Sequence, residues 1–288
     1  MKKKLFFTII IAAVLMSFTY DKPAYKLYNS KGEEVKYANM IEDLADANFV
    51  FIGELHNNPI AHWMELEITK DIYSLKKEKT ILGAEMFEAD DQLIINEYLA
   101  GEYSSKKFEP EMKLWPNYTT DYKPLLDFAK DSSLKFIATN IPRRYASVTY
   151  KKGFDGLNKL ENEAKKYIAP LPIKYDKDLE CYKSMMQMGG MGAHVNANLP
   201  KSQAIKDATM AYFINKNWEK GQTFIHYNGS YHSDNYQGIV WYLKEYNKKA
   251  KIKTVTTVSQ KDLSKLDDNY LKQADYIIVV DENMTTTY

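Results

Sequence analysis

Four residues in this sequence combine type and spacing in a way that suits chemistry. Glu54 and His56 stand two apart in Asn48-Phe-Val-Phe-Ile-Gly-Glu-Leu-His-Asn-Asn-Pro59, directly after an apolar run. Glu85 ends a second apolar run that starts at Thr80, and His232 follows a third, Thr223-Phe-Ile-His-Tyr-Asn-Gly-Ser-Tyr-His232. Two imidazoles and two carboxylates can do general acid–base work near neutral pH. The same set can hold a divalent ion, with His56, Glu85 and His232 as the expected ligands. The plainer alternative is that all four cap helices and bond one another to hold loops in place. His62 falls in the helix that follows, as either a supporting group or a surface histidine. His-Glu-x-x-His, P-loop and Gly-x-Ser-x-Gly sequences are absent, which argues against standard zinc proteases, nucleotide hydrolases and serine esterases.

The elements that must position these groups follow from the pattern. Phe49 to Ile52 reads as a short buried strand, broken by Gly53. Asn58 and Pro59 suit the cap and first position of a helix whose apolar face is Ile60, Met64, Ile68, Ile72 and Leu75. Further strands are expected at 80–85, 134–139, 223–228, 253–258 and 276–280, with a short hairpin at 24–35. Helices are expected at 37–47, 90–99, 122–130, 201–218 and 236–246. Strands alternating with helices imply right-handed crossovers and an α/β fold, a largely parallel sheet flanked by helices. Ligands of such sheets bind outside the carboxyl ends of the strands. Glu54, His56, Glu85 and His232 are therefore expected to crowd one edge. Residues 145–200 lack a convincing strand and read as a smaller inserted helical lobe.

The first twenty residues stand apart. Lys2, Lys3 and Lys4 precede a mostly apolar run from Leu5 to Phe18, the pattern of a secretory signal peptide, and leave 21–288 as the folded part. A retained membrane anchor is the alternative. An exported protein, periplasmic or associated with the cell envelope, is expected, and no cysteine near residue 20 offers a lipid attachment site. Without those lysines the net charge moves from +1 to −2, which gives no reason to expect a nucleic-acid partner. Cys181 is the one cysteine, so no intrachain disulfide forms and the core must suffice.

Two other stretches carry binding chemistry. Arg143 and Arg144 follow a strand end, where guanidinium groups can grip a carboxylate or phosphate. In Met185-Met-Gln-Met-Gly-Gly-Met-Gly-Ala-His194, four of the twelve methionines fall within seven residues beside three glycines. Methionine packs adaptably against flat apolar ligands. Tyr145, Met188, Met191 and His194 supply oxygen, sulfur and nitrogen donors of the types that ligate haem iron. The alternative is a methionine-rich helix end packed on the core.

Taken together, Phe51-Ile-Gly-Glu-Leu-His-Asn-Asn-Pro59, Gly83-Ala-Glu-Met-Phe87 with Gln92, Ile137-Ala-Thr-Asn-Ile-Pro-Arg143, Lys206-Asp-Ala-Thr-Met-Ala211 and Tyr227-Asn-Gly-Ser-Tyr-His232 resemble the ordered motifs of the ChaN-like haem-binding proteins. That family lies within the Tiki/erythromycin-esterase-like superfamily. The resemblance covers about residues 45–245. It implies an α/β domain with a helical lobe and a role in haem or iron acquisition. On this chain's own residues, haem would sit at the lobe–sheet boundary or between two protomers of a homodimer, with a tyrosine such as Tyr145, or His194, on iron, the Met185–Met191 segment over the porphyrin and Arg143 or a lysine on a propionate. Outer-membrane haem or iron uptake components would be partners. It also implies that Glu54, His56, Glu85 and His232 match the superfamily's polar cluster. The alternative function is thus a metal-dependent hydrolase of an ester or amide that uses those four residues around a divalent ion. The chain departs from the family in lacking an anchoring cysteine, and in the Asn-Gly-Ser-Tyr-His form of its last motif.

Overall fold

The computed structural model describes residues 22–187 and 196–288. The expected signal segment 1–20, together with Met188, Met191 and His194, lies outside the described residues. Seven strands, β1 (Tyr25–Asn29), β2 (Phe49–Glu54), β3 (Thr80–Glu88), β4 (Phe136–Asn140), β5 (Thr223–Gly229), β6 (Ile252–Gln260) and β7 (Tyr276–Asp281), form one sheet. Their order is β1-β7-β6-β2-β5-β3-β4. All pairs are parallel except β1 with β7. The expected N-terminal hairpin is reduced to one bridge, Tyr28 to Glu34, because β1 finds its ladder partner at the other end of the chain.

The helices are α1 (Tyr37–Ala45), α2 (Pro59–Lys76), α3 (Gln92–Leu99), α4 (Ser105–Glu111), α5 (Lys123–Asp131), α6 (Arg143–Lys152), α7 (Asp155–Asn158), α8 (Asn162–Lys165), α9 (Glu180–Lys183), α10 (Leu199–Asn217) and α11 (Ile239–Tyr246). They cover both faces of the sheet, which is why β2 is apolar along its length rather than alternating. Val50 and Ile52 join a core with residues of α1 to α5. Phe49 and Phe51 face the opposite core, formed with residues of α6, α7, α9, α10 and α11. Ala204, Ala208 and Ala211 of α10 are fully buried there, small enough to let that helix approach the sheet closely. Tyr145, Leu157, Ile168 and Tyr182 pack into the same cluster. The helical segment after β4 therefore builds one covering layer of the sheet, and no strand interrupts it among the described residues.

The turn between β2 and α2 is fixed locally. The Asn58 side chain accepts hydrogen bonds from the Ile60 and Ala61 amides, both at 3.0 Å, and Pro59 occupies the first helical position. Met64, Ile68 and Ile72 are buried as the periodicity predicts, whereas Ile60 in the first turn is half-buried and Leu75 in the last turn is exposed. The buried side of α2 also carries His62, Glu65 and Thr69. Replacing the cap should be measurable: Asn58→Ala is expected to lower stability by about 1 kcal/mol, read from the denaturant midpoint. An unchanged midpoint would remove the cap from this account.

Candidate functional site

Strand parity decides where each carboxylate goes. Side chains alternate across a sheet, so Glu54 shares the α2 face with Val50 and Ile52, while Glu85 shares the α10 face with Ile81. Strand β5 lies between the two, with Glu54 opposite Gly229 in the ladder. The four groups do meet at one sheet edge, as two networks on opposite faces.

On the α10 face, His232 sits between two carboxylates. Its Nε2 is 3.1 Å from Glu85 Oε1 and its Nδ1 is 2.5 Å from Asp207 Oδ1. Tyr182 donates to the other Asp207 oxygen at 2.7 Å, and the Gly229 amide donates to Glu85 Oε2 at 2.9 Å. Burial works against a charged His232, but Glu85 and Asp207 outweigh it and lift the imidazole to about 10. Burial likewise opposes ionisation of Glu85, yet His232 outweighs it and holds the carboxyl down at about 2. This is a buried ion triad with both ring nitrogens engaged. His226, in the middle of β5, is a different kind of histidine. Burial drives it down to about 4, and it bonds Thr139 and Asn228 as a neutral core group.

On the α2 face, Glu54 Oε1 accepts from Tyr122 at 2.7 Å and lies 2.6 Å from His56 Nδ1. His62, which the sequence left between support and surface, is buried. Its Nε2 donates to the His56 carbonyl at 3.0 Å, and its Nδ1 lies 3.2 Å from Glu65 Oε2. Asn117 donates to the same carbonyl and to Asp121. Burial, with Glu65 nearby, pushes Glu54 up to about 8, and burial pushes Glu65 to about 8 as well. His56 is the member that reaches out, with its side chain 39% exposed. Burial lowers its basicity, but the Glu54 hydrogen bond and charge leave it raised. The absence of a side chain at Gly229 makes room for it, since a Cβ there would come within 2.7 Å of the ring.

Above these networks opens a cleft of about 1250 Å³, beyond the roughly 300–1,000 Å³ usual for small-molecule sites. Its walls include Leu114, Trp115, Met185 and Tyr231, and its floor includes His56 and Glu85. Arg143, Arg144, Lys113 and Lys206 also line it. Arg144 is paired with Asp90 at 2.6 Å and Lys113 with Glu88 at 2.8 Å. Arg143 and Lys206 have no ion-pair partner among the described residues. Tyr145 lies just past this lining, its ring under the Arg144 guanidinium and its hydroxyl accepting from it. Tyr231 ties the wall together, donating to the Cys181 carbonyl and bonding Ser184.

Sequence reasoning assigned Glu65 and Tyr122 no place in the site, and held Lys206 and Asp207 only as members of a motif without a role. Two of them left a signal: Asp207 borders the alanine stripe of α10, and Glu65 lies in phase with Ile68 and Ile72. A carboxylate at a core phase of a helix needs a buried partner.

A largely parallel α/β sheet with a broad, part-apolar cleft at its strand ends is the architecture in which small-molecule sites form. Residues 40–243 match the family described as haem-binding uptake, Tiki superfamily, ChaN, and the chain belongs to that family. Among solved structures it is similar to ChaN of Campylobacter jejuni, whose structure is described as showing cofacial haem binding. That likeness has a TM-score of 0.66 and 16% identity over 89% of this chain and 96% of that one. A succinoglycan biosynthesis protein is similar with a TM-score of 0.54 and 11% identity, over 92% and 96%. At such identities the likeness establishes the fold. Protein RETICULATA-RELATED 5, chloroplastic, of Arabidopsis thaliana is 27% identical over 135 residues, 45% of this chain. The match spans 18% of that protein's length.

The networks imply a pH profile. Glu54 and Glu65 sit at about 8 in the folded state against 4.5 unfolded, so the native state holds more protons between those values and stability falls as pH rises through them. His232, raised from 6.5 to about 10, contributes stability that is complete below 6.5 and lost as pH rises through 10. Glu85, lowered from 4.5 to about 2, contributes stability that is lost as pH falls through 2. Melting temperature of EDTA-treated protein should therefore peak near pH 5 and decline toward pH 9, with Glu65→Gln flattening the upper limb. A profile that rises from pH 5 to 9 would contradict these assignments.

Proposed function

We propose that this protein is exported and binds haem in the cleft at the strand ends, serving haem or iron acquisition. The observation that carries the reading is the cleft itself: about 1250 Å³, with an aromatic and methionine wall and two cations, Arg143 and Lys206, that have no ion-pair partner among the described residues. A porphyrin is a flat apolar ring bearing two carboxylates, and those surfaces match it. Trp115, Leu114 and Met185 would receive the ring, and Arg143 and Lys206 the propionates, through charge-assisted contacts. Membership of a haem-binding uptake family supports the same ligand, as does the haem of the Campylobacter relative. Haem is cargo in this reading, and the chain's task is to hold and shield it. The iron ligand is drawn from Tyr145, beside the cleft, from His194, which with Met188 and Met191 follows the Met185 wall in sequence, and from His56. The Nε2 of His56 has no hydrogen-bond partner among the described residues, while Glu54 fixes its Nδ1. Pairing of two protomers over their haems and delivery to or from outer-membrane uptake components belong to the same proposal.

The alternative, a metal-dependent hydrolase of an ester or amide, has less support. It needs Glu54, His56, Glu85 and His232 around one ion, whereas Glu54 and Glu85 serve opposite faces and His232 is spent on two carboxylates.

Haemin titrated into purified protein should give a shifted Soret band that saturates near one haem per chain. Arg143→Glu should weaken the affinity about tenfold, equivalent to about 1.4 kcal/mol. His194→Ala, Tyr145→Phe and His56→Ala separate the ligand candidates by which one changes the position of the band. No band shift in the parent protein would overturn the reading. Protein recovered from the cell envelope should begin beyond residue 20 by intact mass.

A further inference from the structure

We infer that Glu54, His62 and Glu65 hold a divalent transition-metal ion of the Zn²⁺ class, buried beneath the cleft floor on the α2 side. This site lies beneath the cleft, shares Glu54 with its lining, and does not depend on the haem reading. One ligand atom from each residue lies within 4.8 Å of the others, and all three residues are buried.

The histidine tautomer carries the argument. His62 Nε2 lies 3.0 Å from the His56 carbonyl oxygen, which can only accept, so that nitrogen bears the hydrogen. Asp121 Oδ2, 3.4 Å away, is on the same side. The Nδ1 lone pair of a neutral His62 then faces Glu65 Oε2 at 3.2 Å and Glu54 Oε2 at 3.5 Å. Acceptors converge there on one small volume. Glu54 Oε2 and Glu65 Oε1 are also fully buried with no hydrogen-bond partner among the described residues. Buried polar atoms are rarely left so.

Charge points the same way. Glu54, Glu65 and Asp121 are all buried, and among the described residues their ion-pair partners are histidines alone, with no lysine or arginine in reach. A divalent ion would offset two of the three carboxylates. The spacing also suits such an ion. Ligands held at ~2.0–2.2 Å in a tetrahedron stand roughly 3.3–3.6 Å from one another, close to the 3.2 and 3.5 Å separations from His62 Nδ1. One imidazole with two carboxylates suits zinc or its transition-metal neighbours rather than calcium or magnesium, which take oxygen ligands. Supporting bonds are in place as well: the His56 carbonyl orients His62, and Tyr122 with His56 holds the other oxygen of Glu54.

Glu54 would then link two sites, one oxygen on the metal and the other on His56 at the cleft floor. The test is zinc titration of the EDTA-stripped full chain by calorimetry, with anomalous diffraction at the zinc edge from crystals of the loaded protein. One tight equivalent is expected, with an anomalous peak among Glu54, His62 and Glu65. Glu65→Gln and His62→Gln, checked for folding by circular dichroism, should weaken it at least 100-fold, while Glu85→Gln retains it. No tight equivalent, or a peak at Glu85 and His232 or at the Glu88–Asp91 acidic group, would overturn the assignment and leave a proton as the occupant. A normal haemin titration of the stripped protein alongside a failed zinc titration would sink this inference alone.

Discussion

The carboxylate of Glu54 ends a strand inside the protein, and most of the site depends on how that charge is held. Oε1 takes hydrogen bonds from Tyr122 and His56, and Oε2 faces His62 and Glu65. A buried carboxylate is costly unless bonded or neutralised. The surrounding elements are arranged to supply those partners: the cap at Asn58 sets the start of α2, α2 brings His62 and Glu65, and the turn before α5 brings Asp121 and Tyr122. The same bond that stabilises Glu54 fixes the His56 ring by its Nδ1, leaving Nε2 toward the cleft. Stability and binding geometry are thus joined at one oxygen pair.

The sheet edge divides its charges by parity. Glu54 and Glu85 come from strands on either side of β5, yet they sit on opposite faces because one is in phase with Val50 and Ile52 and the other with Ile81. Each finds a histidine on its own face. The result is two networks below the cleft, one a closed ion triad, His232 with Glu85 and Asp207, the other rich in carboxylates and short of cations. The first needs nothing further. The second is the one with buried oxygens left over.

Much of the scaffold was legible because a doubly covered parallel sheet writes its strands as unbroken apolar runs. β2, β3 and β7 each read that way, β5 does so only at Phe224 and Ile225 before His226, and Asn58-Pro59 marked the helix start by cap chemistry. The pairing of β1 with β7 was not legible, since register between distant strands leaves no local pattern. The site was legible as residue types at strand ends, and less so as geometry. Parity of Glu54 and Glu85 can be counted in the sequence, but their shared neighbour β5 is set by strand order, which local patterns do not reveal. The buried roles of Asp207 and Glu65 were hidden for a related reason: helix periodicity marks a buried face by its apolar members and passes over the acids among them. Tyr145 shows the opposite case. Its type suits iron, while its ring is packed under Arg144, next to the cleft rather than in it.

If the cleft binds haem and the networks beneath it position and support its floor, iron must sit inside the cleft of the loaded protein. Anomalous diffraction at the iron edge, from crystals of the haem-loaded full chain, tests that most directly. The predicted result is iron inside the cleft bounded by Trp115, Met185 and Arg143, with the His232 triad intact. Iron lodged outside that cleft, or drawn into the Glu85–His232 pair with the triad broken, would contradict it.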